Sequence, residues 1–155
     1  MHKQMMTLVL AATALCGTLT WAGEKADKGT KDEAIAMVKK AAAAIKEKGA
    51  DKTFELISNK DAQFVDRDLY VIVYDMNGKC LAHGANAKKV GRDLIDDKDV
   101  DGKPFMRERV EMMKKQDTGW QDYKFKNPVS NQIEDKSTYL EKHGDVIIGC
   151  GIYKQ

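Results

Sequence analysis

The fold is decided by residues 68–84, which read DLYVIVYDMNGKCLAHG. Residues 69–74 form an unbroken series of β-branched, aromatic and aliphatic side chains, too short to span a membrane, which is typical of a strand covered on both faces. Asn77 and Gly78 then favour a tight turn because both residues tolerate a positive φ. Residues 79–83 are predicted to return as the partner strand. The sequence therefore predicts a buried hairpin that needs further strands beside it and cover on both faces.

Three helices and three further strands are predicted around this hairpin. Thr30 has the spacing to Glu33 of a capping box and begins the first helix, which ends at Gly49. Asp51 is expected to cap a short second helix, and Pro104 to open a third. The further strands are predicted over residues 120–125, 136–142 and 146–153. In the last strand Gly149 and Gly151 share a face, which predicts the close approach of a helix backbone or a ligand.

The N-terminal 22 residues have the pattern of an export signal. A short polar, basic start precedes an apolar run over residues 5–15, and Ala22 supplies a small residue at the predicted cleavage site. The apolar run is short and interrupted, so it is expected to be a poor membrane anchor. No membrane span is expected in the mature chain. The prediction is a signal peptide over residues 1–22, a flexible leader over 23–29 and one domain over 30–155. The mature protein is expected to be periplasmic in a bacterium, or secreted.

Composition indicates a folded domain without a strong charge bias. The 155 residues include 26 Lys and Arg against 24 Asp and Glu, a balance that does not indicate a nucleic-acid partner. Removal of the signal leaves Cys80 and Cys150. Their predicted strands are separated by the central strand, which places the Cα atoms roughly 9 to 10 Å apart, beyond disulfide reach. Two buried thiols are favoured, and a disulfide is the alternative.

An acidic loop over residues 97–102, DKDVDG, has the spacing of a calcium-binding loop when Glu108 is included. No amphipathic helix enters this loop, and Pro104 and Phe105 occupy positions unsuited to such a site. A solvated acidic loop is therefore favoured, and no metal or cofactor is predicted. No nucleophile elbow, phosphate-binding glycine loop or zinc signature is present in the sequence, so an enzyme is not predicted.

A looser set of side chains could line a pocket for a small anion, which needs cations or donors within aromatic walls. The candidate ligand-binding residues are His83, Arg107, Trp120, Tyr123, Lys136 and Tyr139. Lys136 and Tyr139 are three residues apart. A regular strand would therefore point them to opposite faces, unless Lys136 lies in the preceding bend.

Several blocks of the chain resemble the single Cache domain family, and they occur in the family's order over residues 31–154. They are residues 68–84, VGRDL at 90–94, DVDGKPF at 99–105, GWQDYK at 119–124, NP at 127–128, KSTY at 136–139 and IGCGIYK at 148–154. The resemblance, to type 2-like members, implies an α+β, PAS-like fold. In that fold a long N-terminal helix packs on a five-stranded antiparallel sheet, with helices and loops on the other face.

The resemblance also implies extracytoplasmic sensing of small molecules, often short organic acids. Positions that the family tends to keep around its pocket match His83, Trp120, Tyr123, Lys136 and Tyr139, whereas Arg107 comes from the helix pattern alone. The acidic loop is part of the family pattern. Two departures from the family are visible. The family often has an aromatic residue followed by proline in the segment that here reads FKNP at 125–128, and Lys126 departs from that pattern. The sequence also contains neither a second membrane span nor a kinase or chemoreceptor output.

The expected function is that of an exported sensor domain that binds a small, anionic molecule and signals through a separate membrane receptor or sensor kinase. One alternative is an envelope interaction or scaffold module whose pocket is vestigial. Another alternative is a hydrolase, which would depend on His83.

Overall fold

The computed structural model describes residues 28–154, which form an α+β domain with three α-helices. These helices are α1 (Lys31–Lys48), α2 (Ala50–Ser58) and α3 (Phe105–Lys115). The predicted capping box is confirmed, because the Thr30 hydroxyl accepts the amide of Glu33 and the Glu33 carboxylate accepts the amide of Thr30. The cap of α2 is Gly49, which also ends α1 at φ 85°, so Asp51 lies in the first turn rather than at the cap.

The sheet is antiparallel and contains six strands. They are β1 (Val65–Asp66), β2 (Leu69–Asp75), β3 (Cys80–His83), β4 (Thr118–Lys126), β5 (Ile133–His143) and β6 (Val146–Tyr153). The order is β1-β2-β6-β5-β4, and β3 also pairs with β2. The predicted fold class and the central hairpin are therefore confirmed. The two-residue β1 is the strand that the five-strand expectation did not include.

Each face of the sheet has its own core. Helix α1 packs its apolar side, including Val38 and Ala41, against the face formed by alternate residues of β2 and β6. The opposite face presents Tyr70, Ile72 and Tyr74, which α3 and the connection between β3 and α3 cover. The chain thus has one face closed by a helix of small residues and one face rich in aromatic and polar groups.

The cysteines lie in different cores, which confirms the prediction of two thiols. Cys150 packs beneath α1 against Met37, whereas Cys80 lies in the aromatic core on the other face. Burial raises the pKa of Cys80 to about 11 and that of Cys150 to about 12. Both side chains therefore stay protonated at neutral pH.

The two glycines of β6 are accounted for by side chains of β5. A Cβ atom on Gly151 would lie 2.4 Å from both Lys136 Cε and Thr138 Oγ1. A Cβ atom on Gly149 would lie 2.9 Å from Leu140 Cδ2. A close approach was predicted here, but the approaching groups are side chains of the adjacent strand rather than a helix backbone or a ligand.

Asp99 organises the acidic loop through the backbone. Its Oδ1 accepts the amides of Asp101 and Lys103 at 3.0 and 2.9 Å, and its Oδ2 accepts the amide of Lys124 at 3.0 Å. These hydrogen bonds hold the pKa of Asp99 below its usual value, and the bond from the Lys124 amide contributes most. Within residues 28–154, no three or more His, Cys, Asp or Glu side chains are grouped so that they could hold a metal ion.

The predicted signal peptide and most of the predicted leader lie outside the described residues. None of the helices within residues 28–154 combines the length and apolar character that a membrane crossing requires.

Candidate functional site

Two adjoining cavities lie on the sheet face opposite α1. The inner cavity, between the sheet and α3, has a volume of about 10 Å³, which is room for roughly one water molecule. The outer cavity has a volume of about 430 Å³, within the usual range of ligand pockets. Both cavities are lined by Tyr70, His83, Lys89 and Phe125. These four side chains therefore form the partition between the small inner cavity and the larger outer one.

Arg109 of α3 is fully buried and lines the inner cavity. Its Nε donates to Gln121 Oε1 at 3.1 Å and its Nη1 contacts Met106 Sδ at 3.5 Å. Its Nη2 has no hydrogen-bond partner among residues 28–154. An arginine side chain stays protonated in proteins, and an uncompensated buried charge costs several kcal/mol. The guanidinium is therefore suited to bind an anion.

Aromatic rings partly compensate this charge. The Arg109 guanidinium lies 5.3 Å from the ring centre of Tyr123, 5.4 Å from that of Tyr74 and 5.5 Å from that of Phe105. Gln121, which accepts from Arg109, donates to the carbonyl of Phe105 at 2.7 Å and is thereby fixed in orientation. Cation–π contacts of this kind stabilise a desolvated cation but leave its N–H donors available.

Lys136 of β5 supplies a second buried cation. Its ammonium donates to the hydroxyls of Tyr70 and Tyr153 at 2.7 and 3.1 Å and lies 3.9 Å from the ring centre of Tyr70. Lys136 lines neither of the two cavities, but Tyr70 lines both. In the buried carboxylate of Asp68, Oδ1 accepts the amide of Gly29 at 2.7 Å, whereas Oδ2 has no hydrogen-bond partner among residues 28–154. Lys136 therefore lies next to the site and contacts it through Tyr70.

Titratable side chains at the site show that its potential is positive. Burial would raise the pKa of Tyr123, but Lys136 and Arg109 outweigh it and lower that pKa. Burial, followed by Lys136, Lys89 and Arg109, lowers the pKa of His83 to about 3. An anion placed here would meet a favourable field from two directions.

His83 is consequently neutral at physiological pH, and its hydrogen bonds identify the tautomer. Nδ1 accepts the amides of Ala85 and Asn86 at 3.2 and 3.1 Å, so the ring proton is on Nε2. The imidazole stacks on Tyr70 with 5.3 Å between ring centres. His83 thus presents one fixed N–H donor in the partition between the cavities.

Three of the six predicted site residues lie at or next to the cavities. His83 and Tyr123 line the inner cavity, and Lys136 lies behind Tyr70. Arg107 does not reach it: its side chain is 59% exposed and pairs with Asp96 at the surface. The buried arginine is Arg109, because residues two apart on a helix project in very different directions.

Trp120 and Tyr139 lie on the other face of the sheet. They are cross-strand partners of β4 and β5, their ring centres are 5.5 Å apart, and both pack against the core beneath α1. Strand β5 is regular from Ile133 onward, so Lys136 is not in a bend and Tyr139 points to the opposite face. Neither aromatic residue lines the two cavities.

Sequence reasoning missed several residues of the site, notably Arg109, Tyr70, Lys89 and Asp97. For Arg109 a signal existed. It falls in the i, i+3, i+4, i+7 stripe with Met106, Val110 and Met113, all of which are buried. Lys89 and Asp97 form an ion pair of 3.4 Å within the irregular connection after β3, where no periodicity predicts the direction of a side chain.

The described fold is similar to solved chemosensory domains. A Cache chemosensory domain studied for carboxylic acid recognition aligns with a TM-score of 0.70 at 20% identity, covering 80% of this chain and 92% of that one. A methyl-accepting chemotaxis protein from Vibrio parahaemolyticus aligns with a TM-score of 0.68 at 25% identity, covering 79% and 87%. A periplasmic sensor domain of a chemotaxis protein aligns with a TM-score of 0.64 at 20% identity, covering 80% and 90%.

The sequence itself is similar to a methyl-accepting chemotaxis protein and to a family model. The methyl-accepting chemotaxis protein McpP of Pseudomonas putida is 32% identical over 90 residues, which are 57% of this chain and 16% of that receptor. The model of the family described as single Cache domain 2 matches residues 13–155. The chain therefore belongs to the single Cache domain 2 family.

Proposed function

We propose that this protein is an exported sensor domain that binds a short organic acid in the two cavities and signals through a separate membrane partner. The observation that carries the proposal is the fully buried Arg109 guanidinium, whose Nη2 lacks an acceptor among the described residues. A ligand carboxylate on this nitrogen would compensate a charge that the aromatic rings around Arg109 compensate only in part. Charge-assisted hydrogen bonds of this kind are among the strongest that a binding site makes.

The surroundings of Arg109 favour a carboxylate with a short apolar part. Besides Arg109, the inner cavity is lined by the neutral donor His83 and by the apolar side chains of Ile72, Leu94 and Met106. The polar groups suit a carboxylate and the apolar groups suit a short alkyl chain. Because the inner cavity holds only about 10 Å³, binding requires side chains of the partition to move.

The relatives support this assignment of function. One structural relative recognises carboxylic acids, two are chemotaxis receptors or their sensor domains, and McpP is a methyl-accepting chemotaxis protein. Because these relatives are sensor domains, we favour a binding protein over an enzyme. The periplasmic sensor domain among the relatives supports the proposal of a periplasmic location. The chemotaxis proteins among them support the proposal of a membrane receptor as the partner, and a sensor kinase is the other partner we propose.

Thermal unfolding with sodium propionate and with propionamide tests the proposal. The two probes have similar size, but only propionate carries a charge for Arg109 to bind. Propionate should raise the unfolding temperature, since binding to the folded state alone adds about 2.7 kcal/mol at a hundredfold excess over Kd. Propionamide should have little effect. Equal responses to the two probes, or no response to any of a series of short organic acids, would contradict the proposal.

The small volume of the inner cavity favours a second candidate function, an envelope interaction module whose pocket is vestigial. This candidate predicts a partner that binds whether or not organic acids are present. Capture of an envelope protein by the wild type and equally by Arg109→Met, with and without propionate, would favour it over the sensor.

A further inference from the structure

The passage from the outer to the inner cavity is formed by the side chains that line both. Three of them have contacts that hold them in place. The Tyr70 hydroxyl accepts from Lys136, and His83 Nδ1 accepts two backbone amides. The Phe125 ring packs edge-on against the ring of Phe105, with 6.0 Å between their centres. Lys89, which has a long and flexible side chain, is the remaining member of the partition.

Lys89 is held in the passage by Asp97. Its Nζ lies 3.4 Å from Asp97 Oδ2 and 5.4 Å from the ring centre of Phe125, and both partners of the ion pair are partly exposed. Lys89 ends a 3-10 turn (Ala87–Lys89), and Asp97 lies further along the same connection between β3 and α3. The two side chains can therefore separate without disturbing the pairing of the sheet.

The two cavities differ in the charged side chains that line them. The lining of the outer cavity includes three lysines, Lys60, Lys89 and Lys126, and no carboxylate among the residues described. Asp97 is the one carboxylate within the described lining of the inner cavity. A positive lining attracts an anion into the outer cavity. The anion then meets Lys89, which is already paired with the partly exposed carboxylate of Asp97.

We propose that Asp97 competes with the ligand for Lys89 and so sets the affinity of the site for organic anions. The entering carboxylate takes over the Lys89 ammonium, the Lys89–Asp97 pair separates, and the passage to Arg109 opens. The inference rests on the proposed carboxylate-binding function. It assigns Asp97 a role in specificity, because the site rejects any molecule that cannot replace Asp97 as the partner of Lys89.

Titration calorimetry with sodium propionate on four forms of the domain tests the competition: wild type, Asp97→Asn, Lys89→Met and the double variant. Asp97→Asn should tighten Kd by roughly two- to fivefold, the range expected for a partly exposed ion pair. Lys89→Met should weaken binding. In the Lys89→Met background, Asp97→Asn should have no further effect, because the competition needs Lys89. Asp96→Asn is the matched control, since Asp96 is the neighbouring acid and pairs with Arg107 at the surface.

The outcomes separate this inference from the proposed function. The inference alone is overturned if wild type binds propionate and Asp97→Asn leaves Kd unchanged. It is also overturned if Asp97→Asn tightens Kd by the same factor in the wild-type and the Lys89→Met backgrounds. The same holds if Asp96→Asn tightens Kd as much as Asp97→Asn does, since the effect would then be one of net charge. If wild type and every variant, each shown to be folded by circular dichroism, bind neither propionate nor any other acid of the series of short organic acids, the proposed function and the inference are overturned together.

Discussion

Gly151 lies directly beneath the side chain of Lys136, such that a Cβ atom at position 151 would be 2.4 Å from Lys136 Cε. The missing side chain lets the lysine cross the sheet surface and reach the hydroxyls of Tyr70 and Tyr153. A glycine in the middle of a strand weakens the strand. In this strand the glycine lowers stability but leaves the room that places the buried ammonium of Lys136 next to the site.

Gly151→Ala should therefore destabilise the domain and weaken ligand binding together. The added methyl group has no room beside Lys136 and Thr138, and overpacking of this kind costs about 1–3 kcal/mol. Urea unfolding measures the first effect, and calorimetry with propionate the second. Gly119→Ala in β4 is the matched control, because its methyl group meets Gln116 and Met112, which line neither cavity, rather than Lys136. Equal propionate affinity in the two variants would show that the position of Lys136 does not matter for binding.

Arg109 and Arg107 provide a second matched pair on α3. Arg109→Met should abolish propionate binding while the domain stays folded, because the methionine fills the apolar space and removes a buried charge. Removal of the buried charge should stabilise the folded state, whereas Gln121 Oε1 loses its donor, which should destabilise it. Because the two effects oppose each other, the change in the free energy of unfolding should be small.

Arg107→Met, which removes an exposed arginine paired with Asp96, should leave the affinity for propionate within about twofold of wild type, as is usual for a surface ion pair. Calorimetry on both variants, with circular dichroism to establish folding, measures the contrast. Retained binding by Arg109→Met would remove Arg109 from the site.

Sequence patterns predicted the fold well because each signal was local. The apolar run of β2 and the Thr30 capping box depend only on neighbouring residues, and the structure contains both. To predict which side chains of β5 lie on which face of the sheet, one has to know where this strand begins. Its start at Ile133 rather than residue 136 decides that Lys136 faces the aromatic core and that Tyr139 does not.

The site was predicted less completely because its charged residues break the usual rules of burial. An arginine in a helix is normally exposed, so Arg107 and Arg109 could be told apart only by the apolar stripe in which Arg109 lies. The Lys89–Asp97 pair forms across an irregular connection. Its geometry depends on the tertiary structure and on no local periodicity.

His83 should make the stability of the domain depend on pH. Burial, followed by the nearby cations Lys136, Lys89 and Arg109, lowers its folded pKa to about 3, whereas an unfolded histidine titrates near 6.5. Below about pH 6.5 the unfolded state binds the proton and the folded state does not. The contribution of His83 to the free energy of unfolding is therefore fully present above about pH 6.5 and is lost as the pH falls towards 3.

The slope of this loss should approach about 1.4 kcal/mol per pH unit between pH 5.5 and 3.5. Urea unfolding of wild type and of His83→Gln across this range measures the difference and cancels the contribution of the carboxylates. Parallel stability curves for the two proteins would mean that His83 protonates equally in both states.

Cys80 and Cys150 should both resist alkylation in the folded domain. Both thiols are fully buried, and their raised pKa values keep them out of the reactive thiolate form at pH 8. Iodoacetamide followed by mass spectrometry should show neither label in buffer and both labels in urea. The result should be the same without reductant. Failure to label in urea until a reductant is added would indicate a disulfide.

Asp99 should stabilise the acidic loop through hydrogen bonds and not through a metal ion. Its carboxylate accepts three backbone amides, including that of Lys124 in β4, so Asp99→Ala leaves these donors without their acceptor. We expect a loss of about 1–3 kcal/mol in the free energy of unfolding. Asp101→Ala removes a neighbouring acid whose contact is a surface ion pair with Lys124, and it should cost less stability than Asp99→Ala does. Calcium chloride should leave the unfolding temperature of wild type unchanged. A rise that disappears in Asp99→Ala would instead identify the loop as a cation site.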